Sequence, residues 1–233
     1  RLLEAALYAA GFRVRAAGIV GEPALDLVGD ALDVAILEVS SFQLETTEDF
    51  RPAVAVVLNV TPDHLDRHGD LEGYALAKRR ILENQQAEDV AVLDVDNARV
   101  RDFQPHAQGE VLPFSRRPGA GAREAGRAAW LETGVAVFAD GASVHRVPLD
   151  SAPRLPAHDK DNALAALTAV WALGVDPERA SQALAGFQAL PHRCETVAGR
   201  AGGTWVYDSK ATNPGAAERA IEGIDSPIIW IAG

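Results

Sequence analysis

The fold is decided by DVAILEVSSFQLE, residues 33–45, and by AVAVVLNVTPDHLDRHGD, residues 53–70. Each stretch begins with a short apolar run, Val34 to Leu37 in the first and Ala53 to Leu58 in the second. Short runs that are rich in β-branched residues and bounded by polar ones are typical of buried parallel strands. Ligands bind in open α/β sheets at the carboxyl ends of neighbouring strands. We therefore expect the polar residues after the two runs to meet at one crevice.

These polar residues carry groups that bind metals and phosphates. Glu38 and Ser40 follow the first run, and His64 lies in the loop after the second. Lys78 lies further on, in a helix predicted over residues 71–84. A carboxylate and an imidazole from neighbouring strand ends could bind one divalent cation. Mg²⁺ prefers oxygen ligands, so a histidine would be the less usual of the two.

The remaining pattern predicts the architecture. Strand and helix signals alternate up to a strand at residues 89–93, which predicts a doubly wound, mostly parallel sheet. Residues 97–150 contain the runs VLPF, VAVFA and SVHRV between glycine turns, which predicts a small antiparallel region. An Ala/Leu-rich helix is predicted from residue 157 to Gly174. We predict two domains, a central one over residues 1–190 and the beginning of a second, Rossmann-like one over residues 191–233.

Composition excludes several classes of protein. Of the 233 residues, 48% are hydrophobic and 24% charged, as in an ordinary globular protein. The net charge of −11 offers no basic surface to nucleic acid and is repelled by an anionic membrane. One cysteine, Cys194, excludes an internal disulfide framework and is typical of a reducing compartment. No leader sequence and no apolar run of roughly 20 residues is present, so we expect a cytoplasmic protein.

Both ends of the chain lie within predicted elements. The chain has no methionine, and it opens on a helix and a strand, which form a βαβ unit only if another strand precedes them. It stops within the apolar run IIWIAG, residues 228–233, which predicts a further strand. We expect a fragment that is cut at both ends.

Five motifs occur together in an order that resembles the Mur ligases. They are EVSSFQLE, LNVTPDHLDRH with YALAKRRI after it, HDKDNALAAL, LPHRCE and VYDSKATNPGA. The resemblance implies a P-loop-type ATPase central domain and an ATP-dependent amide ligase of peptidoglycan precursor synthesis. SSFQLE and DSKATN look like the member that adds D-glutamate to UDP-N-acetylmuramoyl-L-alanine. The family's phosphate-binding Gly-Lys-Thr/Ser loop and uridine-binding domain are expected before Arg1.

The resemblance implies roles for the polar residues after the two strands. Glu38 and His64 resemble magnesium ligands, and Lys78 resembles a lysine that carries a carbamate and binds metal through oxygen. Ser40 resembles a residue that contacts the acyl end of the substrate. The residues alone leave structural alternatives open. Glu38 and Ser40 would cap a helix or turn, His64 would pack in a turn, and Lys78 would lie on a solvated helix face.

Further roles are implied for residues in the second half of the chain. The residues that resemble nucleotide ligands are His158 and Asn162 for the base, with Arg193 and Asp208 for the phosphates and ribose. Lys210 and Thr212 resemble residues near the incoming amino acid. For the HDKDNALAAL motif, the structural alternative is that Asp159 caps the helix. Cys194 has no catalytic partner in the sequence, and we expect it to be a packing residue.

The resemblance implies that ATP and Mg²⁺ are the cofactors and that the reaction passes through an acyl phosphate. Two positions depart from the family, Ile19 in Gly-Ile-Val-Gly and Asp159 in His-Asp, where an amide is usual. Two alternatives stay open. One is another Mur or folylpolyglutamate-type ligase, and the other is a non-catalytic nucleotide-binding scaffold. We expect a monomer that binds neither nucleic acid nor membrane.

Overall fold

The structure is a computed structural model that describes residues 1–19, 21–118, 126–149, 157–187, 191–200, 203–222, 224 and 226–231. The described helices are α1 (Leu2–Ala9), α2 (Ser41–Leu44), α3 (Leu65–His68), α4 (Leu71–Arg79), α5 (Ala98–Arg101), α6 (Ala157–Ala172), α7 (Pro177–Ser181) and α8 (Pro214–Glu222). The described strands are β1 (Val14–Gly18), β2 (Val34–Glu38), β3 (Val54–Val57), β4 (Val90–Asp94), β5 (Glu110–Ser115), β6 (Ala128–Glu132), β7 (Val135–Ala139), β8 (Val144–Pro148), β9 (Glu195–Arg200) and β10 (Gly203–Tyr207).

The main sheet has six strands in the order β3-β4-β5-β6-β7-β8. The pairs from β3 to β6 are parallel, and the pairs from β6 to β8 are antiparallel. This confirms the predicted α/β class with a mostly parallel sheet and a small antiparallel region. The prediction for VLPF was wrong in its direction, because β5 runs parallel to β4, with Val90 opposite Glu110. The chain returns through α5 to the end at which β4 began, so a parallel strand is the result.

Helices cover both faces of the main sheet, as the burial of β4 shows. All five residues of β4 are buried. Val90 and Val92 face a core cluster that contains α1 and the inner side of α6, whereas Ala91 and Leu93 face a second cluster that contains α4 and α5. Successive side chains of a strand point to opposite faces. The continuous apolar run in the sequence therefore reflects helices on both sides of the sheet, as doubly wound folds require.

Strands β1 and β2 form a separate two-stranded parallel sheet. Within the described residues, β2 does not pair with β3, so the expectation of two neighbouring strands was wrong. The expectation that the first run is fully buried was also wrong. Val34 and Ile36 pack against the core, but Leu37 on the other face is 36% exposed. No described helix covers that face.

The second unit begins with a hairpin. Strands β9 and β10 pair in antiparallel fashion, and every residue of β10 is exposed. The predicted strand at the end of the chain is absent from described residues 226–231, where Ile229 is 93% exposed. Among the described residues, no strand pairs with this segment. The division into domains at residue 190 stays a prediction.

Two local predictions were wrong in ways that bear on the site. Helix α6 begins at Ala157, so Asp159 lies in its first turn and not at the N-cap position. The spacing of apolar residues in YALAKRRI predicts that Leu76 faces inward, but Leu76 is exposed, whereas Tyr74, Ala75 and Ala77 are buried. Among the described residues, no helix is both long and apolar enough to cross a membrane.

Candidate functional site

The loop between β3 and α3 places His64 in an unusual backbone conformation. His64 is the N-cap of α3 and has a φ of 53°, in the left-handed region. Asp63 Oδ1 accepts a hydrogen bond from the His64 backbone N–H at 3.0 Å. Non-glycine residues in this region are uncommon and are concentrated at functional sites. The backbone and its aspartate therefore hold this loop in one defined shape.

Lys78 lies on α4 and is half-buried, with its Nζ 5.0 Å from the centre of the Tyr74 ring. Asp70 starts this helix by accepting a hydrogen bond from the Gly73 N–H at 2.8 Å. Burial lowers the pKa of the Lys78 ammonium, and the nearby charge of Asp63 opposes that effect. The Lys78 side chain has no hydrogen bond or ion pair to another described residue. The solvated-face alternative was therefore wrong, and the neutral amine forms more easily here than on an ordinary lysine.

Aromatic contacts join the three short helices around this lysine. The ring of Phe42, on α2, lies 5.0 Å from that of His64. Tyr74, on α4, lies 6.3 Å from His64 and 5.2 Å from His68. Such edge and tilted pairs add roughly 0.5–1.5 kcal/mol beyond the area that they bury. These ring contacts connect α2, α3 and α4.

Glu38 ends β2 and its side chain is exposed. Its backbone lies against Gly18, where a Cβ would come within 2.1 Å of the Glu38 carbonyl oxygen. Ser40 is the N-cap of α2 and forms a capping box with Gln43. The capping alternative is therefore confirmed for Ser40 and wrong for Glu38. Within the described residues, no hydrogen bond or ion pair joins Glu38 to His64 or Lys78.

These residues fit a magnesium ion only if Lys78 supplies an oxygen. The described residues contain no group of three or more His, Cys, Asp and Glu side chains that could hold a metal. A carbamate on Lys78 would add an anionic oxygen beside Asp63. The half-buried amine, without a polar partner among the described residues, is the feature that suits this modification. The donor set with a carbamate has the oxygen character that Mg²⁺ prefers.

The predicted base-binding pair lies on α6. Asn162 is partly buried there. His158 belongs to the first turn of the helix, but its side chain lies outside the described part of the structure, as does that of Asp159.

The predicted phosphate and ribose ligands lie at the start of the second unit. Arg193 is exposed, and Asp208 follows directly after β10. The Cys194 thiol donates a hydrogen bond to Asp208 Oδ2 at 3.3 Å. Cys194 thus contacts Asp208, a candidate nucleotide-binding residue, and is not only a packing residue. Lys210 and Thr212 are both exposed, and the Lys210 N–H donates to the His192 carbonyl at 3.3 Å.

Sequence reasoning missed Asn213, which joins the two units. Its side-chain amide donates to Asp63 Oδ2 at 2.9 Å, and its Oδ1 accepts from the Ala216 N–H at 2.9 Å. A Cβ on Gly215 would lie 3.1 Å from Thr61 Oγ1, so the start of α8 lies close against the loop after β3. An asparagine before Pro214 does signal a helix start. No sequence signal indicates which residue its amide would contact.

Comparison with known proteins gives consistent results. Residues 22–170 match the Mur ligase middle domain. The chain is 40% identical over 225 residues to a UDP-N-acetylmuramoylalanine–D-glutamate ligase of Acidobacterium capsulatum, covering 94% of this chain and 48% of the relative. It is 39% identical to the Geobacter metallireducens protein of the same name, covering 97% and 49%. The chain spans about half the length of these relatives.

Solved structures with the same fold are also Mur ligases. A UDP-N-acetylmuramoyl-L-alanyl-D-glutamate–2,6-diaminopimelate ligase superposes with a TM-score of 0.68 at 21% identity, over 96% of this chain and 50% of that one. MurF ligase from Thermotoga maritima, solved in complex with ADP, has a TM-score of 0.67 at 21% identity, over 95% and 53%. At this identity the likeness concerns the fold alone.

Proposed function

The chain belongs to the Mur ligase family, whose middle domain it matches over residues 22–170, and we propose that it is the central part of a D-glutamate-adding ligase. The whole protein would join D-glutamate to UDP-N-acetylmuramoyl-L-alanine with ATP, in the synthesis of peptidoglycan precursors. The names of the curated relatives support this choice over other members of the family. The SSFQLE and DSKATN segments also support it.

One observation carries the proposal: Lys78 is half-buried, lacks a polar partner among the described residues, and lies near Asp63 in the loop that holds His64. Burial favours the neutral amine over the ammonium. A neutral amine adds to CO₂ and releases one proton, which leaves an anionic carbamate. A solvated surface lysine, protonated at neutral pH, has little tendency to do so. A scaffold that only binds nucleotide would not require this arrangement.

The residues would act mainly through charge and position. The substrate carboxylate attacks the γ-phosphorus of ATP and ADP leaves, which gives an acyl phosphate. The amine of D-glutamate then attacks the acyl carbon, loses a proton, and phosphate leaves. Glu38, His64 and the carbamate of Lys78 would hold Mg²⁺, which supplies neutralisation of phosphate charge. Ser40 would orient the acyl end of the substrate.

The other candidate residues would bind the nucleotide and the incoming amino acid. Those proposed for the nucleotide are His158, Asn162, Arg193 and Asp208. Those proposed for D-glutamate are Lys210 and Thr212. Both of the latter lie just before α8, whose first residues contact the loop beside His64. That contact supports a reaction centre between the central unit and the second unit.

The domain division at residue 190 is part of the proposal. The central domain would carry ATP and metal, and the second would bring the amino acid. The single cysteine supports a reducing, cytoplasmic location, where a chain needs no disulfides. We propose that the protein acts as a monomer on small-molecule substrates.

The test is an assay of the protein encoded by the complete reading frame. With ATP, Mg²⁺ and UDP-N-acetylmuramoyl-L-alanine, we expect amide product and phosphate with D-glutamate and none with L-glutamate. Activity should fall in CO₂-depleted buffer, return with bicarbonate, and be absent from Lys78→Ala in both. A product with a different amino acid would indicate another Mur or folylpolyglutamate-type ligase. No product and no ATP hydrolysis would indicate the scaffold.

A further inference from the structure

We propose that His68 is a positioning residue for the proposed metal site. Its imidazole ties the polar segment after β2 to the loop after β3, and so sets where Glu38 and His64 stand relative to one another. This inference rests on the proposed function for its catalytic consequence. Its structural content is carried by contacts that do not depend on that function.

The ring makes a hydrogen bond at each nitrogen. Nε2 lies 3.0 Å from the hydroxyl of Ser41, and Nδ1 lies 3.1 Å from Glu45 Oε1. An ionised carboxylate can only accept hydrogen bonds, so Nδ1–H donates to Glu45. In the neutral ring Nε2 then accepts from the Ser41 hydroxyl. Arg67 donates to the other carboxylate oxygen of Glu45 at 2.8 Å, which holds that acceptor in place.

The His68 ring is enclosed by its neighbours, and it cannot reorient without breaking its hydrogen bonds. The His68 side chain is only 1% exposed, and Ser41 is buried as well. Phe42 lies 5.5 Å from the ring and Tyr74 5.2 Å from it. Leaving a buried donor or acceptor unpaired costs about 1–3 kcal/mol. The two bonds therefore hold one orientation of the ring.

The bridge adds a side-chain link between two segments of the chain. In the described residues β2 and β3 belong to different sheets and do not pair directly. Ser41 directly follows Ser40 and stands three positions after Glu38. At the other end, the His64 carbonyl accepts the backbone N–H of His68 at 3.1 Å. One buried ring thus joins the two segments, with Ser41 three positions after Glu38 and His68 four positions after His64.

A second link lies further from the candidate ligands. Arg80 donates to the carbonyl oxygens of Leu44 and Thr47, at 2.8 and 2.7 Å. These bonds hold only the end of α2, whereas the His68 bridge also reaches Ser41, its first residue. Loss of the bridge should therefore loosen Ser40 and Glu38 without unfolding the region. Residues that orient a metal ligand in this way typically change metal affinity or activity by about 10–100-fold.

The experiment uses the full-length protein and Mn²⁺ as a probe, measured by electron paramagnetic resonance of the free ion in the presence of ADP. His68→Phe keeps a ring of similar size and removes both hydrogen bonds, and Ser41→Ala removes one. His145→Phe is the control, because that histidine lies on β8 near Asp176 and Glu178. We expect His68→Phe to weaken Mn²⁺ binding about 10-fold or more. The control should bind as the wild type does.

Kinetics and the double variant separate positioning from folding. His68→Phe should lower kcat and raise the Mg²⁺ requirement, with little change in KM for UDP-N-acetylmuramoyl-L-alanine. Adding Ser41→Ala to His68→Phe should cost less than the sum of the two single effects, because one bridge is lost in each case. A folded His68→Phe protein with wild-type Mn²⁺ affinity would overturn the inference. If that variant does not fold, the Mn²⁺ affinity of Ser41→Ala decides in its place.

Failure of the proposed function would give a different experimental result from failure of the inference about His68. A wild-type protein that binds Mn²⁺ but forms no amide product would refute the ligase. The role of His68 would then be judged on Mn²⁺ affinity alone. A wild-type protein that does not bind Mn²⁺ at all would overturn the inference about His68.

Discussion

Asn213 donates a hydrogen bond to Asp63 at 2.9 Å, although 150 positions separate the two residues in the chain. The other oxygen of Asp63 accepts the backbone N–H of His64. The other end of the Asn213 amide accepts from Ala216 and caps α8. One amide therefore connects the first turn of α8 to the loop that carries a candidate metal ligand.

Asn213→Asp should separate this connection from helix capping. Aspartate caps helices as well as asparagine does, but its charge would repel Asp63. We expect Asn213→Asp to lower kcat about 10-fold with little change in Tm, in line with effects of groups near a metal site. Asn213→Ala should lower both kcat and Tm. It also removes the helix cap, which costs about 1 kcal/mol of stability. The measurements are steady-state kinetics and thermal unfolding of the full-length protein.

The control for Asn213 is Asp176→Ala, which removes the cap of the remote helix α7. It should lose stability without losing kcat. Full activity in Asn213→Asp would mean that the contact with Asp63 has no part in the reaction.

Glu38→Ala should abolish turnover and leave substrate binding nearly intact. The charge of a metal ion is needed most where phosphate charge develops in the transition state, so losing its carboxylate lowers kcat more than it raises KM. Glu132→Ala is a matched control, because Glu132 pairs with Arg146 on the surface of the antiparallel strands. Unchanged kcat with a raised KM in Glu38→Ala would identify Glu38 as a structural carboxylate.

Because of Asp94, the free energy of unfolding should fall as the pH rises. Asp94 is buried at the end of β4, and burial raises its pKa from 3.8 to about 6. Between these two values the folded state binds more protons than the unfolded state, so stability falls as the pH rises through this window. Above about pH 6 the penalty is complete, and it amounts to roughly 3 kcal/mol at most for a shift of this size.

Asp94→Asn tests this directly. At about pH 7.5 the variant should be more stable than the wild type by urea unfolding, and the difference should shrink as the pH falls towards 4. Asp140→Asn should behave in the opposite way. Hydrogen bonds from Ser143 and Ala142 lower the pKa of Asp140, so this carboxylate stabilises the fold above its ordinary pKa. An Asp94→Asn variant whose advantage does not depend on pH would contradict the assignment.

Local patterns predicted the strands and helices near the site well. Both apolar runs form strands, the helix of Lys78 forms, and α1 ends before Gly11 with a φ of 92°. These outcomes depend on backbone preferences and on the spacing of apolar residues, which a short segment carries by itself. The candidate ligands were likewise identified from residue types and order, through the resemblance to one family.

What the sequence determined by itself was therefore the α/β class, the identity of most elements and the set of candidate residues. Tertiary structure alone decided that β2 and β3 lie in different sheets among the described residues, that Leu76 faces solvent while Lys78 is half-buried, and that His68 and Asn213 bridge separate segments. Strand pairing, desolvation and side-chain hydrogen bonds each depend on a second group that is distant in the chain. No local pattern encodes the position of that group, because it is fixed only when the whole core packs.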